Sequence, residues 1–311
     1  MQRPARHLIS LDDLTDGELS WIVDQGVAYA TAARRPAPVL DGAVIGVHFR
    51  KTSTRTRTAF SAGALRLGAQ IIGFGPDDLQ TNSGETWEDT GRVMGLMLDG
   101  LVARTAGPPE ELRMLAAGGS MSVVNAMTED EHPTQALTDL VTLQQRFGRI
   151  GGLRVLYVGE GNNTAAALAL AMTRFPGSEL HVRTPPGYGL TKEVLVRAEA
   201  SAAQSGSLFD ERHDMADVPP RLDVIYTSRW QTTGTSKADP TWREVFAPFR
   251  VTGRLWSESP DAVFMHDLPA HRGEEVDAEV LDGPASIAFP QAANKLTSAM
   301  AVLHHCLAHA A

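Results

Sequence analysis

The chain has 311 residues, of which 43% are hydrophobic and 21% charged, and its net charge is −9. This length exceeds one ordinary hydrophobic core, so two domains of about 150 residues each are predicted. The acidic balance disfavours nonspecific nucleic-acid binding, and no apolar run reaches the roughly 18 residues that a membrane span needs. The single cysteine, Cys306, and the lack of a long apolar centre in residues 1–19 predict a cytoplasmic protein.

Short apolar runs alternate with stretches of helical periodicity, which predicts α/β domains on parallel sheets. In the first half, strands are predicted at 42–49, 70–74, 100–104 and 121–126, and helices at 58–69, 85–98 and 132–148. A strand, a tight turn and a helix are predicted within 151–175, followed by strands at 179–185, 222–228 and 261–269 and an amphipathic helix at 291–310. The domain boundary is expected within 140–150.

The turn "STRTRT" at 53–58, between the first strand and the first helix, combines hydroxyl and basic side chains. Free N–H groups at a helix start favour an anion. Ser53, Thr54 and Thr56 add hydroxyl donors, and Arg55 adds a planar fork suited to phosphate. A helix cap beside a solvated basic turn explains the same residues, so the stretch alone leaves both interpretations open.

Two further stretches place polar side chains next to predicted elements. Arg104 directly follows an apolar strand, where α/β proteins bind ligands, although many arginines at strand ends are only surface residues. "HPTQ" puts His132 and Gln135 three residues apart on one helix face. An imidazole and an amide there suit a ligand with a carbonyl oxygen and an amino group, and a helix cap with Pro133 in the first turn is the structural alternative.

The segment "MHDLPAHRGEEV" at 265–276 follows a strand and is rich in polar groups. His266, Asp267 and His271 match no usual metal-ligand spacing, so no metal is expected. In "VGEGNNTAA", Thr164 stands where a dinucleotide fold has its third glycine, and the next strand ends with Arg183 instead of an acid. A nucleotide-dependent oxidoreductase is therefore disfavoured.

Taken in order, "STRTR", "HPTQ" and "HDLPAHRGEEV" resemble the S-T-R-T-R, H-P-x-Q and H-C-L-P-x-x-R-G-E-E motifs of the aspartate/ornithine carbamoyltransferase family. The resemblance covers nearly the whole chain. It implies two doubly wound parallel-sheet α/β domains, at 1–145 for carbamoyl phosphate and at 146–290 for the acceptor, with the ligand between them. It also implies that the C-terminal helix, at 291–311, returns to the first domain. The resemblance implies no cofactor. It implies a homotrimer, or a multiple of one, in which the active sites are shared between subunits.

The resemblance also implies roles for individual residues. Carbamoyl phosphate would be held by Ser53, Thr54, Arg55, Thr56, Arg104, His132, Gln135 and Lys295. The amino-acid acceptor would be held by Asn163, Ser228, Arg229, Gln231, Asp267 and Leu268. Catalytic roles fall to Arg104, His132, Asp267 and Arg272. Carbamoyl transfer to an amino-acid amine is the implied reaction.

The acceptor half departs from both branches of the family. Ser228, Thr232 and Thr233 stand where ornithine enzymes have an aspartate and an S-M-G turn, and Asp267 stands where the branches have cysteine or proline. Arg229 with Gln231 resembles the carboxylate grip of the aspartate branch. We therefore expect an ornithine-like or other non-standard amino-acid acceptor, with ornithine itself as the alternative.

Two further questions stay open on the sequence alone. Asp267 either acts on the acceptor's ammonium or pairs with Arg272. A catalytically weak phosphate-binding relative is a second alternative function, and the complete set of donor residues disfavours it.

Overall fold

The computed structural model describes residues 5–34, 36–232 and 236–308. The chain divides into two compact units, one formed by 1–141 with 293–311 and the other by 142–292. The C-terminal residues from 293 onward thus belong to the first unit. Both divisions fall inside helices, α5 (Pro133–Phe147) and α10 (Ala288–Leu307).

Unit 1 is built on a parallel sheet with the strand order β2-β1-β3-β4. Its strands are β1 (Val44–Phe49), β2 (Gln70–Phe74), β3 (Gly100–Arg104) and β4 (Ser122–Met127). Its helices, besides its parts of α5 and α10, are α1 (Asp16–Thr31), α2 (Arg55–Arg66), α3 (Trp87–Met94) and α4 (Pro109–Gly118). The strand β3 is buried along its whole length, whereas the edge strand β2 is largely exposed.

Unit 2 is built on a parallel sheet with the strand order β7-β6-β5-β8-β9. Its strands are β5 (Arg154–Val158), β6 (Glu179–Arg183), β7 (Leu208–Arg212), β8 (Val224–Thr227) and β9 (Val263–His266). Its helices are α6 (Asn163–Met172), α7 (Lys192–Ser205), α8 (Trp242–Phe246) and α9 (Ala278–Leu281). All ten residues of α6 are buried, because its alanine-rich sequence lets it pack closely.

The prediction of two parallel-sheet α/β domains is confirmed. The strands 70–74 and 100–104 agree with the structure residue for residue. The predicted helix at 58–69 instead begins at Arg55, because the hydroxyl and basic residues that resembled a loop form its first turn. The predicted final helix begins earlier, at Ala288, and positions 309–311 lie outside the described residues. No helix in the described parts of the chain has the length and apolar character to cross a membrane.

Candidate active site

The first cluster of predicted site residues lies at the carboxyl edge of the unit 1 sheet. The strand order there changes direction between β1 and β3, which is where open α/β sheets bind ligands. Phe49 at the end of β1 pairs in register with Arg104 at the end of β3. The N–H of Arg50 donates to the Arg104 carbonyl oxygen at 3.0 Å. The turn after β1 is therefore held beside Arg104.

That turn leads directly into α2, whose first residue is Arg55. Thr54 occupies the N-cap in a helical conformation (φ −76°, ψ −56°), and its side chain makes no capping hydrogen bond. The Thr54 side chain therefore does not occupy the start of the helix, where the helix dipole favours an anion. Arg104 Nη1 donates to Ser53 Oγ at 3.3 Å, and Thr56 is buried. A hydroxyl, a guanidinium and a helix start converge at this turn.

His132 precedes α5 and is 5% exposed. Its Nδ1 lies 3.3 Å from Thr134 Oγ1. Burial, together with the positive charges of Lys295 and Arg104, holds the pKa of His132 well below 6.5. The imidazole is therefore neutral at pH 7 and has one N–H to donate and one nitrogen to accept with.

The loop that carries His132 is anchored by its neighbour Glu131. The Ser10 hydroxyl and the Leu11 N–H both donate to the Glu131 carboxylate at 2.7 Å. The carbonyl oxygen of Glu131 accepts from the Thr128 N–H at 3.0 Å. Sequence reasoning missed this residue, because its partners are about 120 positions away in the chain. An acidic residue directly before "HPTQ" is the one signal in the sequence.

Lys295 on α10 donates to Gln135 Oε1, and Gln135 Nε2 donates to Asp139 Oδ1 at 2.8 Å. Gln135 is 1% exposed. Its amide oxygen has two lone pairs, so a second donor can bind there. Thr56, His132 and Lys295 line one small cavity. The structure thus gathers the predicted donor residues of unit 1 around β1, β3 and the start of α5.

The second cluster lies in unit 2, at the carboxyl edge where its strand order changes direction between β5 and β8. The turn after β5 ends at Asn162, whose Oδ1 caps α6 by accepting from the N–H groups of Thr164 (3.0 Å) and Ala165 (3.1 Å). Asn162 Nδ2 donates to Ser228 Oγ at 3.0 Å. Asn163, the predicted acceptor ligand, begins α6 and is 5% exposed.

Ser228 follows β8 and closes a small hydrogen-bond chain. Tyr157 Oη donates to the Glu160 carbonyl oxygen at 2.8 Å, so its oxygen accepts the proton of Ser228 Oγ at 2.6 Å. Ser228 is 1% exposed. Its hydroxyl proton is therefore used inside the fold, and a lone pair remains for a ligand.

Asp267 follows β9 and has one hydrogen-bond donor among the described residues. Thr164 Oγ1 donates to Asp267 Oδ2 at 3.0 Å. His266 Nδ1 lies 3.4 Å from Asp267 Oδ1, but this nitrogen accepts the Leu268 N–H at 2.8 Å, and His266 Nε2 donates to Glu275 at 3.1 Å. The Nδ1 atom therefore carries no proton for Asp267. The carboxylate keeps most of its capacity to bind a cation.

The remaining predicted residues differ in their surroundings. Arg229 is half-buried, and its guanidinium makes no ion pair within the described residues. Gln231 is half-buried, and Leu268 adopts a left-handed backbone (φ 52°), which is uncommon for a leucine. Arg272 is exposed and forms two hydrogen bonds with Asp282, at 2.6 and 2.8 Å.

The structure does not bring Arg272 to Asp267, so the pairing of these two residues, one of the two open interpretations, is not found among the described contacts. Thr233 lies outside the described residues, and Thr232 Oγ1 approaches Glu160 Oε2 at 3.5 Å. The imidazole of His271 and the carboxylates of Glu274 and Glu275 have ligand atoms within 4.8 Å of one another, close enough to surround one metal ion. Glu275 Oε1 in that group already accepts from His266 Nε2 and from the His271 N–H.

Comparison with known proteins covers both clusters. Residues 6–145 match the family model described as "Aspartate/ornithine carbamoyltransferase, carbamoyl-P binding domain", and residues 151–306 match "Aspartate/ornithine carbamoyltransferase, Asp/Orn binding domain". The chain belongs to the aspartate/ornithine carbamoyltransferase family. It is a carbamoyltransferase of the ornithine/aspartate type, and the family binds carbamoyl phosphate and an amino-acid substrate.

Individual members of the carbamoyltransferase family are similar over the whole chain. The ornithine carbamoyltransferase of Thermococcus kodakarensis is 39% identical over 301 residues, which cover 96% of this chain and 95% of that protein. The solved structure of the ornithine carbamoyltransferase from Pyrococcus furiosus superposes with a TM-score of 0.91 at 36% identity, covering 99% and 98% of the two chains. The Thermus thermophilus ornithine carbamoyltransferase gives a TM-score of 0.85 at 31% identity, covering 98% and 100%.

Proposed function

We propose that this carbamoyltransferase transfers the carbamoyl group of carbamoyl phosphate to an amine of ornithine and releases phosphate. The observation that carries the proposal is the full-length similarity, at 37 to 39% identity, to relatives named ornithine carbamoyltransferase. This similarity favours ornithine over the non-standard acceptor that the departures in the sequence suggested. The enzyme's own residues supply the chemistry, in two groups.

The donor group holds carbamoyl phosphate at the start of α2. The phosphate accepts from the first-turn N–H groups of α2, from the hydroxyls of Ser53, Thr54 and Thr56, and from the guanidinium of Arg55. The uncapped helix start and the bond between Arg104 and Ser53 support this assignment. Negative charge on the departing phosphate is thus neutralised before the reaction begins.

The carbonyl group of carbamoyl phosphate is polarised by Arg104 and His132. When the acceptor amine attacks the carbonyl carbon, negative charge grows on the carbonyl oxygen, and fixed donors stabilise it. The lowered pKa of His132 supports its role as a neutral N–H donor. Gln135 accepts from the carbamoyl amine with its remaining lone pair, and Lys295 fixes the orientation of that amide. The bond between carbonyl carbon and phosphate oxygen then breaks.

The acceptor group holds the amino acid at the carboxyl edge of the unit 2 sheet. Arg229, without an ion pair among the described residues, binds the carboxylate with Gln231 beside it. Asn163, Ser228 and the backbone at Leu268 shape the pocket. Asp267 binds the ammonium and takes its proton, because an amine must lose a proton before it attacks. Arg272 retains its predicted catalytic role as a proposal, which requires it to leave Asp282.

One observation favours a second candidate acceptor. A carboxylate is present at Asp267 and absent at Ser228, where ornithine enzymes carry theirs, so the negative charge follows β9 instead of β8. This position would suit an amino acid in which the distance between the side-chain amine and the carboxylate differs from that in ornithine. A lower homologue or a longer homologue of ornithine fits that description.

A phosphate-release screen tests the choice of acceptor. The enzyme is incubated with carbamoyl phosphate and, one at a time, with ornithine, its shorter and longer diamino-acid homologues, aspartate and simple amines. We expect ornithine to give the largest kcat/KM, about 10⁴ M⁻¹s⁻¹ or more. A homologue that exceeds ornithine at least tenfold favours the second candidate. Phosphate release with none of these amines refutes the proposed function.

We also propose a homotrimer or a multiple of one, acting in the cytoplasm. Five large apolar side chains of unit 1 support assembly because they are at least 45% exposed: Leu65, Ile72, Val93, Leu96 and Met97. Light scattering on the wild-type enzyme and on Leu96→Glu tests the proposal. A wild-type enzyme that is fully active as a monomer contradicts it. The single buried cysteine, Cys306, is compatible with a reducing compartment.

A further inference from the structure

The ammonium group of Lys237 lies inside an aromatic cage in unit 2, formed by Tyr188, Trp242 and Phe246. Lys237 Nζ lies 4.8 Å from the ring centroid of Tyr188, 5.0 Å from that of Phe246 and 5.5 Å from that of Trp242. Each distance is short enough for a cation–π contact. The Lys237 side chain is 6% exposed, so the charge is almost entirely removed from water.

The same ammonium forms a salt bridge with Glu160, whose side chain is 18% exposed. A buried ion pair is weak evidence for stability, because an apolar side chain of similar volume in its place often stabilises a protein equally well. An apolar side chain at position 237, such as methionine, would be enough to pack against the three aromatic rings. Packing alone therefore does not account for the charge of Lys237, whereas its ion pair with Glu160 gives that charge a definite partner.

Glu160 begins the turn that carries the acceptor residues. Asn162 and Asn163 follow it directly, and Tyr157 Oη donates to the Glu160 carbonyl oxygen. Thr232 Oγ1 approaches Oε2 of the Glu160 carboxylate, whereas Lys237 binds Oε1. Lys237 thereby connects the segment after β8 to the turn after β5, which are the two segments that supply Ser228, Arg229 and Asn163.

Tyr188, one of the three aromatic residues of the cage, also contacts the turn after β5 through its backbone. The N–H of Gly161 donates to the Tyr188 carbonyl oxygen at 2.8 Å. A side chain at Gly161 would place its Cβ 2.3 Å from the backbone carbon of Gly189, so only glycine permits this approach. Burial raises the pKa of Glu160, and the adjacent Lys237 ammonium opposes that rise, so Lys237 stabilises the charged form of Glu160.

We propose that Lys237 is a positioning residue for the acceptor site: its caged ammonium fixes Glu160, and Glu160 fixes the turn that presents Asn162 and Asn163. The acceptor assignment rests on the proposed function. Lys237 itself touches no substrate. Its effect therefore falls on the binding of the acceptor and leaves the binding of carbamoyl phosphate unchanged.

The test uses Lys237→Met, which keeps an apolar chain in the cage and removes the charge. We expect the KM for the acceptor to rise about tenfold or more, which corresponds to about 1.4 kcal/mol, with an unchanged KM for carbamoyl phosphate. Glu160→Gln should give the same effect, and the double variant should lose no more than either single variant. Lys192→Met, an exposed lysine at the start of α7, is the matched control.

A second measurement separates positioning from simple stabilisation. Lys237→Ala leaves space for n-propylammonium, which should restore the acceptor KM, whereas n-propanol should not. The proposal is overturned if Lys237→Met keeps an acceptor KM within twofold of wild type or raises both KM values equally. It is also overturned if neither single variant folds.

Hydrogen exchange keeps this test independent of the reaction. If the wild-type enzyme uses no amine at all, the proposed function fails while the role of Lys237 can still be measured. The amides of Gly161 and Asn163 should then exchange faster in Lys237→Met than in wild type and in Lys192→Met. Unchanged exchange at these amides overturns the positioning role.

Discussion

Replacing Asp267 with asparagine removes one negative charge from the proposed acceptor site and leaves its shape nearly unchanged. Asparagine keeps an oxygen that accepts from Thr164 Oγ1, which is the one donor that Asp267 has among the described residues. The nearby His266 Nδ1 accepts the Leu268 N–H, so it donates no hydrogen bond to Asp267 that the substitution could remove. The substitution should therefore leave the free energy of unfolding nearly unchanged.

The expected effect on the reaction follows from the contact that is lost. A hydrogen bond between an ammonium and a carboxylate contributes about 1.5–3 kcal/mol. Its loss should lower kcat/KM for the acceptor by roughly 10- to 100-fold, and loss of the group that takes the proton should lower kcat by a further ~100-fold or more. Carbamoyl phosphate binds to residues of unit 1 in the proposal, so its dissociation constant should not change.

The assay is phosphate release at saturating carbamoyl phosphate with varied ornithine, together with calorimetric titration of carbamoyl phosphate alone. Asp261→Asn is the matched control, because Asp261 is an exposed aspartate before β9 whereas Asp267 follows the same strand. The assignment of Asp267 fails if its variant keeps kcat/KM for the acceptor within twofold of wild type. It also fails if carbamoyl phosphate binding weakens to the same extent.

Four further predictions concern the donor group, the pH response and metal dependence. Arg55→Ala should abolish turnover and Arg55→Lys should lose most of it, since an ammonium cannot reproduce the planar fork; near-normal kinetics in Arg55→Lys would exclude the phosphate contact. His132→Ala should lower kcat by about 100-fold or more in steady-state assays. Burial lowers the pKa of His48 to about 4, so the unfolded chain takes up a proton that the folded one does not, and stability should fall by roughly 3 kcal/mol between pH 6.5 and 4. Denaturant titrations of His48→Phe should show a smaller loss over that range. Treatment with a chelator should leave activity unchanged, and a loss restored by a divalent cation would contradict the expectation of no metal.

The sequence by itself determined the fold class and the family, and it singled out the residues that we propose for the donor group. Strands such as 70–74 and 100–104 are short apolar runs bounded by turn residues, and that pattern is local. The turn that we propose to bind phosphate could be singled out for the same reason, because Ser53, Thr54, Arg55 and Thr56 are contiguous between one strand and one helix. The start of α2 was misplaced, since hydroxyl residues suit both a loop and a first helical turn, and the final helix also begins earlier than predicted.

Only the tertiary structure decided the partners of the side chains that follow different strands. Arg272 and Asp267 are five positions apart in the chain, yet Arg272 binds Asp282 and Asp267 binds Thr164. The proton position on His266 and the caged ammonium of Lys237 likewise depend on contacts from separate elements. The carboxyl ends of β5, β8 and β9 meet because these strands are neighbours in the sheet, and strand order is set by packing of the whole unit instead of by local periodicity.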